Sequence, residues 1–178
     1  MKKQILVISS SPRKGGNSDV LCDEFIKGAE SAGNTAEKIF LRDKKINYCT
    51  GCGICNDSGV CSQKDDMAEI LPKMVAADVI VLASPIYFYT MCGQLKTFID
   101  RCCPRYTKLT DKEFYYILTA ADTAPAAIDR AVSEFQGFLN CLENPKEKGV
   151  ICGVGVWKKG EVKSKSLMQE TYDLGCKV

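Results

Sequence analysis

Two uninterrupted apolar runs, ILVI at positions 5–8 and VIVL at 79–82, constrain this chain more than any other feature. A strand on a half-solvated sheet alternates apolar with polar residues. These runs do not alternate and need cover on both faces. The first leads through a loop of small residues into 18–32, where Val20, Leu21, Phe25 and Ala29 recur at helical spacing. Doubly buried strands separated by helices imply a parallel sheet wrapped on both sides.

The same alternation continues to the end. Strands are expected over 4–9, 35–41, 78–83, 114–120 and 149–157, the last including Trp157. Helices are expected over 18–32, 65–77, 94–103, 125–142 and 164–174. Pro72 should bend or break the second of these, and Gly175 should close the last. The resulting fold class is α/β, a doubly wound five-stranded parallel sheet in the order 2-1-3-4-5. No repeat, linker or low-complexity tract interrupts it, so residues 1–178 read as a single domain with a cysteine-rich insertion at about 47–64.

Composition narrows the chemistry. There is no histidine, which removes Ser-His-Asp and Cys-His catalysis and any metal site needing imidazole. Eleven cysteines without a secretory signal argue against a disulfide scaffold and for a cytoplasmic protein. The apolar run at 5–8 is too short for a signal peptide, and no segment is long enough to span a bilayer. A net charge of +2 gives no electrostatic case for nucleic acid or an acidic membrane.

Two loops stand out. After the first strand, SSSPRKGGNS offers Ser9, Ser11, Asn17 and Ser18 as donors, Arg13 as a charged fork, and Gly15 and Gly16 for close backbone approach. A helix N-terminus follows, which suits a phosphate. The loop is neither G-x-G-x-x-G nor a P-loop, and an ordinary strand–helix junction capped by Asn17 or Ser18 is the alternative. After the third strand, SPIYFYTMCG places Tyr87, Phe88 and Tyr89 where they can pack on a flat ring. In this winding order the two loops flank one crevice. A phosphoacceptor receiver domain would need acidic residues at these strand ends, and the chain has serines and SPIY instead.

Between them lies NYCTGCGICNDSGVCSQKDD, with Cys49, Cys52, Cys55 and Cys61 spaced C-x2-C-x2-C-x5-C. Three thiols at two-residue gaps and a fourth after a turn suit iron–sulfur ligation. Ferredoxin spacing would show three residues and a proline where this chain has five and Ser62. Zinc knuckles favour two separated C-x2-C pairs. Disulfides, or cysteines without a cluster, complete the possibilities. The other seven cysteines read as packing, Cys92 included. Lys158, Lys159, Lys163 and Lys165 read as solvated surface, with attraction of NADPH phosphates or an acidic redox partner as the alternative.

The combination of SSSPRKGGNS, DDM (residues 65–67), and SPIYF followed by GQLKTFIDR resembles the flavodoxin-like NADPH-dependent FMN reductase family. With the compact cysteine motif between them, the chain resembles the iron–sulfur flavoprotein subgroup. That resemblance implies an FMN phosphate at Ser9, Ser11, Arg13, Asn17 and Ser18. It places the isoalloxazine against Pro85, Ile86, Tyr87 and Phe88, with Gly93 beside it. Ala120, Ala121 and Asp122 would lie along the ring or ribityl chain. The four cysteines would bind one [4Fe–4S] cluster, and no protein side chain would be catalytic. NAD(P)H or a ferredoxin-like donor would supply electrons to a small acceptor or redox partner, within a homodimer or homotetramer. A flavodoxin-type carrier without enzymatic activity, or a zinc-bearing α/β module without flavin, are the competing functions.

Overall fold

The computed structural model describes residues 2–178. Its strands are β1 (Gln4–Ser9), β2 (Thr35–Phe40), β3 (Val79–Tyr87), β4 (Thr90–Met91), β5 (Glu113–Thr119) and β6 (Lys146–Gly153). Its helices are α1 (Asn17–Ser31), α2 (Ile54–Ser58), α3 (Met67–Ala76), α4 (Gly93–Asp100), α5 (Ala126–Leu139) and α6 (Leu167–Cys176). The sheet runs β2-β1-β3-β5-β6, all parallel, and β4 adds antiparallel to the end of β3. The strand count is therefore six rather than five. The extra strand is a two-residue hairpin arm, and the winding of the other five follows the expected order.

Each apolar run supplies both faces. Leu6, Ile8, Ile80, Leu82 and Tyr116 join the core formed with α3, α4 and α5. Ile5, Val7, Val79, Val81 and Ile117 join the core formed with α1 and α6. Register sets Ser9 beside both Phe40 and Ala83. The carboxyl ends of β1, β2 and β3 therefore share one edge, and the loops that follow them meet there.

Three local expectations change. α3 continues through Pro72, whose ring is exposed, because Met67, Ile70, Leu71 and Met74 are buried on the opposite face and tertiary packing outweighs one lost bond. β6 ends at Gly153, leaving Trp157 in the loop beyond it. Gly175 lies inside α6 rather than after it. A Cβ on Gly175 would sit 2.2 Å from the Phe25 carbonyl oxygen, and one on Gly28 would sit 2.0 Å from that of Tyr172. These glycines let α1 and α6 touch backbone to backbone.

Alanine at either position would gain about 1 kcal/mol of helix propensity. The clash is with backbone and cannot be relieved by a rotamer, so overpacking should win, with a net loss of about 1–3 kcal/mol. Urea unfolding of Gly28→Ala and Gly175→Ala should show lowered midpoints. Unchanged midpoints would mean that the two helices separate freely.

Candidate functional site

The loop between β1 and α1 is shaped from within. Asp19, buried in the first turn of α1, accepts hydrogen bonds from Ser9 Oγ (3.0 Å), the Gly15 amide (2.8 Å) and Lys38 Nζ (2.9 Å). Ser11 Oγ donates to the Arg13 carbonyl (3.0 Å) and accepts from the Arg13 amide (3.2 Å). Asn17 Nδ2 donates to the carbonyls of Val156 (3.3 Å) and Lys158 (3.1 Å), while its Oδ1 accepts from the Val162 amide (3.2 Å). Ser9 and Asn17 thus spend their side chains on the frame of the loop.

Ser18 does not. Its hydroxyl is buried and has no hydrogen-bond partner. Such a group costs about 1–3 kcal/mol unless something accepts from it or donates to it. It sits at a helix N-terminus whose cap, Gly16, supplies no side-chain bond, a setting that favours an anion. Two cations are close by. Arg13 is exposed, with Nη1 donating to the Trp157 carbonyl at 3.1 Å, and Lys159 Cε lies 3.3 Å from where a Cβ on Gly15 would be.

Opposite this loop, β3 runs on through Ser84, Pro85, Ile86 and Tyr87 before turning back into β4. Phe88 and Tyr89 form the turn with φ of 52° and 65°. Two successive left-handed residues are the geometry of a type I′ hairpin turn. Glycine and asparagine normally occupy such positions, so aromatic residues there hold strain of the kind found at ligand sites. Phe88 is 96% exposed. Tyr89 Oη donates to Asp122 Oδ2 (3.3 Å), tying this turn to the loop after β5. Cys92 is buried, its Sγ 3.1 Å from Ser10 Oγ, and joins the two loops as a packing residue.

These segments enclose a crevice of about 260 Å3. Pro12 and Arg13 form one wall, Pro85, Ile86 and Tyr87 another, and Thr119, Ala121, Val156 and Trp157 the third. Ala120 is buried beneath it, and Asp122 is bound to Tyr89 and to the Ala124 amide (2.9 Å). Gly93 is not brought there. It lines a separate cavity of about 480 Å3 with Lys44, Tyr48 and Lys96. The sequence pattern puts Trp157 in a strand and Lys159 on solvated surface, whereas the loop after β6 carries Trp157 to the crevice and Lys159 to the turn at Gly15.

The cysteine loop follows β2 on the same edge. Gly51, Gly53 and Gly59, with φ of 65°, 76° and 64°, fold it back on itself around α2. Cys49, Cys52, Cys55 and Cys61 line one hollow of about 160 Å3, and Cys103 joins them from beyond α4. The loop is held by a buried ion pair. Arg101 Nη1 and Nη2 donate to Asp65 Oδ2 (2.6 Å) and Oδ1 (3.0 Å). Arg101 also donates to the Asn47 carbonyl (2.6 Å) and, through Nη2, to Cys61 Sγ (3.4 Å). One guanidinium therefore grips the start and the end of the cysteine run. Both residues come from the DDM and FIDR motifs, which gives those motifs a physical role.

Burial alone would raise the Asp65 carboxyl, but the Arg101 guanidinium and the amides of Asn47 and Met67 hold it below the usual carboxylate range. A folded-state value below the unfolded one means the stabilisation is fully present above pH ~4. It is lost as pH falls through the depressed folded value. Urea midpoints should therefore drop on the acid side, and Asp65→Asn should flatten part of that drop. An identical acid limb in the variant would contradict this.

The donor sets fit the groups that such sites hold. The unpartnered Ser18 hydroxyl, the cation pair and the aromatic crevice fit a phosphorylated planar cofactor. Five thiols, those of Cys49, Cys52, Cys55, Cys61 and Cys103, line the cysteine hollow beside the neutral side chains of Thr50, Asn56, Ser62 and Gln63. Its thiols ring a space rather than converge on a point, and among the described residues no three His, Cys, Asp or Glu side chains are placed to hold a single metal ion. Spaced thiols of this kind fit a multi-iron cluster.

A family model described as NADPH-dependent FMN reductase matches residues 3–143. This chain belongs to the NADPH-dependent FMN reductase family. The match takes in the phosphate-type loop, the cysteine hollow, the β3–β4 hairpin and the loop after β5, and stops before Trp157 and Lys159.

Within this family, the chain is 46% identical over 97 residues to an iron–sulfur flavoprotein of Archaeoglobus fulgidus, covering 54% of this chain and 44% of that protein. It is 43% identical over 101 residues to one of Methanocaldococcus jannaschii, covering 57% and 52%. It thus spans about half the length of these curated relatives. A putative NAD(P)H-dependent FMN-containing oxidoreductase of Bacillus subtilis is 27% identical over 161 residues, 85% of each chain. An azoreductase of Bacillus anthracis superposes over 100% of both chains with a TM-score of 0.73 at 15% identity, a likeness of fold. Among the described residues, no helix is long and apolar enough to cross a membrane.

Proposed function

We propose that this FMN reductase family member is an FMN-dependent oxidoreductase that takes electrons from NAD(P)H or a reduced ferredoxin-like donor. A small acceptor or redox protein would receive the electrons, and the cysteine loop would hold a [4Fe–4S] cluster that supplies one-electron chemistry. The observation that carries the reading is the buried, unpartnered Ser18 hydroxyl in the first turn of α1, after a loop that carries Arg13, meets Lys159 at Gly15 and forms one wall of a ring-sized crevice.

FMN, when bound, supplies both the hydride acceptor and the step between two-electron and one-electron transfer. The chain's own part is to bind and orient. Ser18 and the free amides of the first turn of α1 hold the phosphate, and Arg13 and Lys159 balance its charge. Pro85, Ile86 and Tyr87 form the floor for the ring, with Ala121 and Trp157 closing the far wall and excluding water. Phe88, exposed on a strained turn, offers a surface for a second subunit, in keeping with a homodimer or homotetramer. Cys49, Cys52, Cys55 and Cys61 would hold the cluster on the same sheet edge. Absence of histidine agrees with chemistry that needs no protein acid.

Turnover is the test. FMN-loaded protein assayed without oxygen, with NADH or NADPH and a quinone or ferric acceptor, should oxidise the nicotinamide catalytically. A flavin-loaded chain that reduces the acceptor catalytically with neither a nicotinamide nor a reduced ferredoxin is a carrier, and the reductase reading falls.

A further inference from the structure

The cysteine hollow contains one thiol more than a four-ligand cluster uses. Cys103 is remote in sequence from the motif, yet its Sγ stands 3.7 Å from Cys55 Sγ and lines the same cavity as the other four thiols. Its neighbour Cys102 points into the core, with Sγ donating to the Phe98 carbonyl at 3.3 Å, so the pair is split between two environments.

The position of Cys103 does not depend on the backbone that carries Cys55. Cys55 sits on α2, whereas Cys103 follows α4 by way of Arg101. That residue is 2% exposed and fixed by Asp65, Asn47 and Cys61. The ion pair that anchors the cysteine loop therefore also sets where the fifth thiol stands. Among the thiols of the motif, Cys55 is the one in contact with it. Cys52 Sγ faces Ser62 Oγ at 3.6 Å, and Cys61 Sγ accepts from Arg101.

We propose that Cys103 is a reserve ligand of the iron–sulfur centre, able to take the coordination place of Cys55. The inference rests on the cluster reading above. The exchange balances without an oxidant. The Cys55 thiolate leaves its iron and takes up a proton, the Cys103 thiol gives up a proton and binds, and no iron changes oxidation state. Because the two sulfurs are neighbours, the swap requires a side-chain movement rather than refolding of the loop. Cys55 is then the one motif cysteine whose loss the centre tolerates.

The test uses the full chain, reconstituted with iron and sulfide without oxygen, as wild type, Cys52→Ala, Cys55→Ala, Cys103→Ala and Cys55→Ala/Cys103→Ala. Iron and acid-labile sulfide per chain are measured, together with the cluster absorbance. Alanine is used because a serine oxygen could itself bind iron. Cys103→Ala should match wild type, and Cys55→Ala should keep the greater part of the iron. Cys52→Ala and the double variant should lose nearly all of it. A filled wild type with a Cys55→Ala variant as empty as Cys52→Ala overturns the exchange and leaves the cluster reading intact. So does a double variant as full as Cys55→Ala. A wild type that takes up no iron overturns both.

Discussion

Replacing Arg101 with leucine is expected to cost about 3–5 kcal/mol of stability at neutral pH, because it strands a buried carboxylate. Arg101 is 2% exposed, and the side chain of Asp65 is fully buried, with the guanidinium fork as its charged partner. The Asp65 carboxylate keeps hydrogen bonds from the Asn47 amide (2.9 Å) and the Met67 amide (3.2 Å), but loses its counter-charge. The Asn47 carbonyl loses its donor as well. A pair of apolar residues of similar size can replace a buried ion pair at small cost, whereas one partner alone cannot. Arg101→Leu/Asp65→Leu should therefore be more stable than Arg101→Leu. Urea midpoints of the two single variants and the double variant measure the coupling. The same substitution should lower iron uptake, since the guanidinium joins both ends of the cysteine run. An Arg101→Leu midpoint close to wild type would mean that the loop is held by something else.

The second large effect concerns the phosphate loop. Gly16→Val should weaken FMN binding by about a hundredfold or more while leaving the sheet folded. A Cβ at Gly16 would stand 2.6 Å from Ser11 Oγ and 2.8 Å from the Arg13 carbonyl oxygen. Ser11 is bonded to Arg13 in both directions, so neither atom can give way without opening the loop. Opening it withdraws Arg13 and misaligns the amides above Ser18. Two hydrogen bonds to a charged group, each worth about 1.5–3 kcal/mol, correspond to roughly two to four powers of ten in affinity. Fluorescence quenching of FMN by apo-protein reads this directly. Riboflavin, which lacks the phosphate, is the control. Wild type should prefer FMN strongly, and Gly16→Val should lose most of that preference. Equal FMN affinity in the two proteins would remove the loop from the site.

Much of this architecture is legible in the sequence, because the deciding signals are local. Runs such as ILVI and VIVL fix a doubly covered parallel sheet. Parallel winding fixes which loops share an edge, and that brought the SSSPRKGGNS and SPIY loops together. What escaped the sequence depends on contacts between distant segments. β4 is two residues long, too short for any periodicity, and it forms because β3 extends past Pro85 and turns back at Phe88 and Tyr89. Gly175 looked like a helix terminator, yet its reason is the Phe25 carbonyl of another helix. Asp19 carries no motif signal of its own, and it is the residue that closes the phosphate loop through Ser9 and the Gly15 amide. Gly93, expected beside the ring, faces a different cavity. Trp157, Lys159 and Cys103 each arrive at a site from an element whose own pattern says nothing about where it docks.

The most direct measurement is the absorbance spectrum of the full chain, purified without oxygen, incubated with FMN and freed of excess ligand by filtration. The expected spectrum has flavin bands at about one flavin per chain, over a broad cluster shoulder that bleaches on reduction. A colourless chain that leaves all FMN in the filtrate would contradict the site built from Arg13, Ser18, Pro85, Ile86, Tyr87 and Trp157.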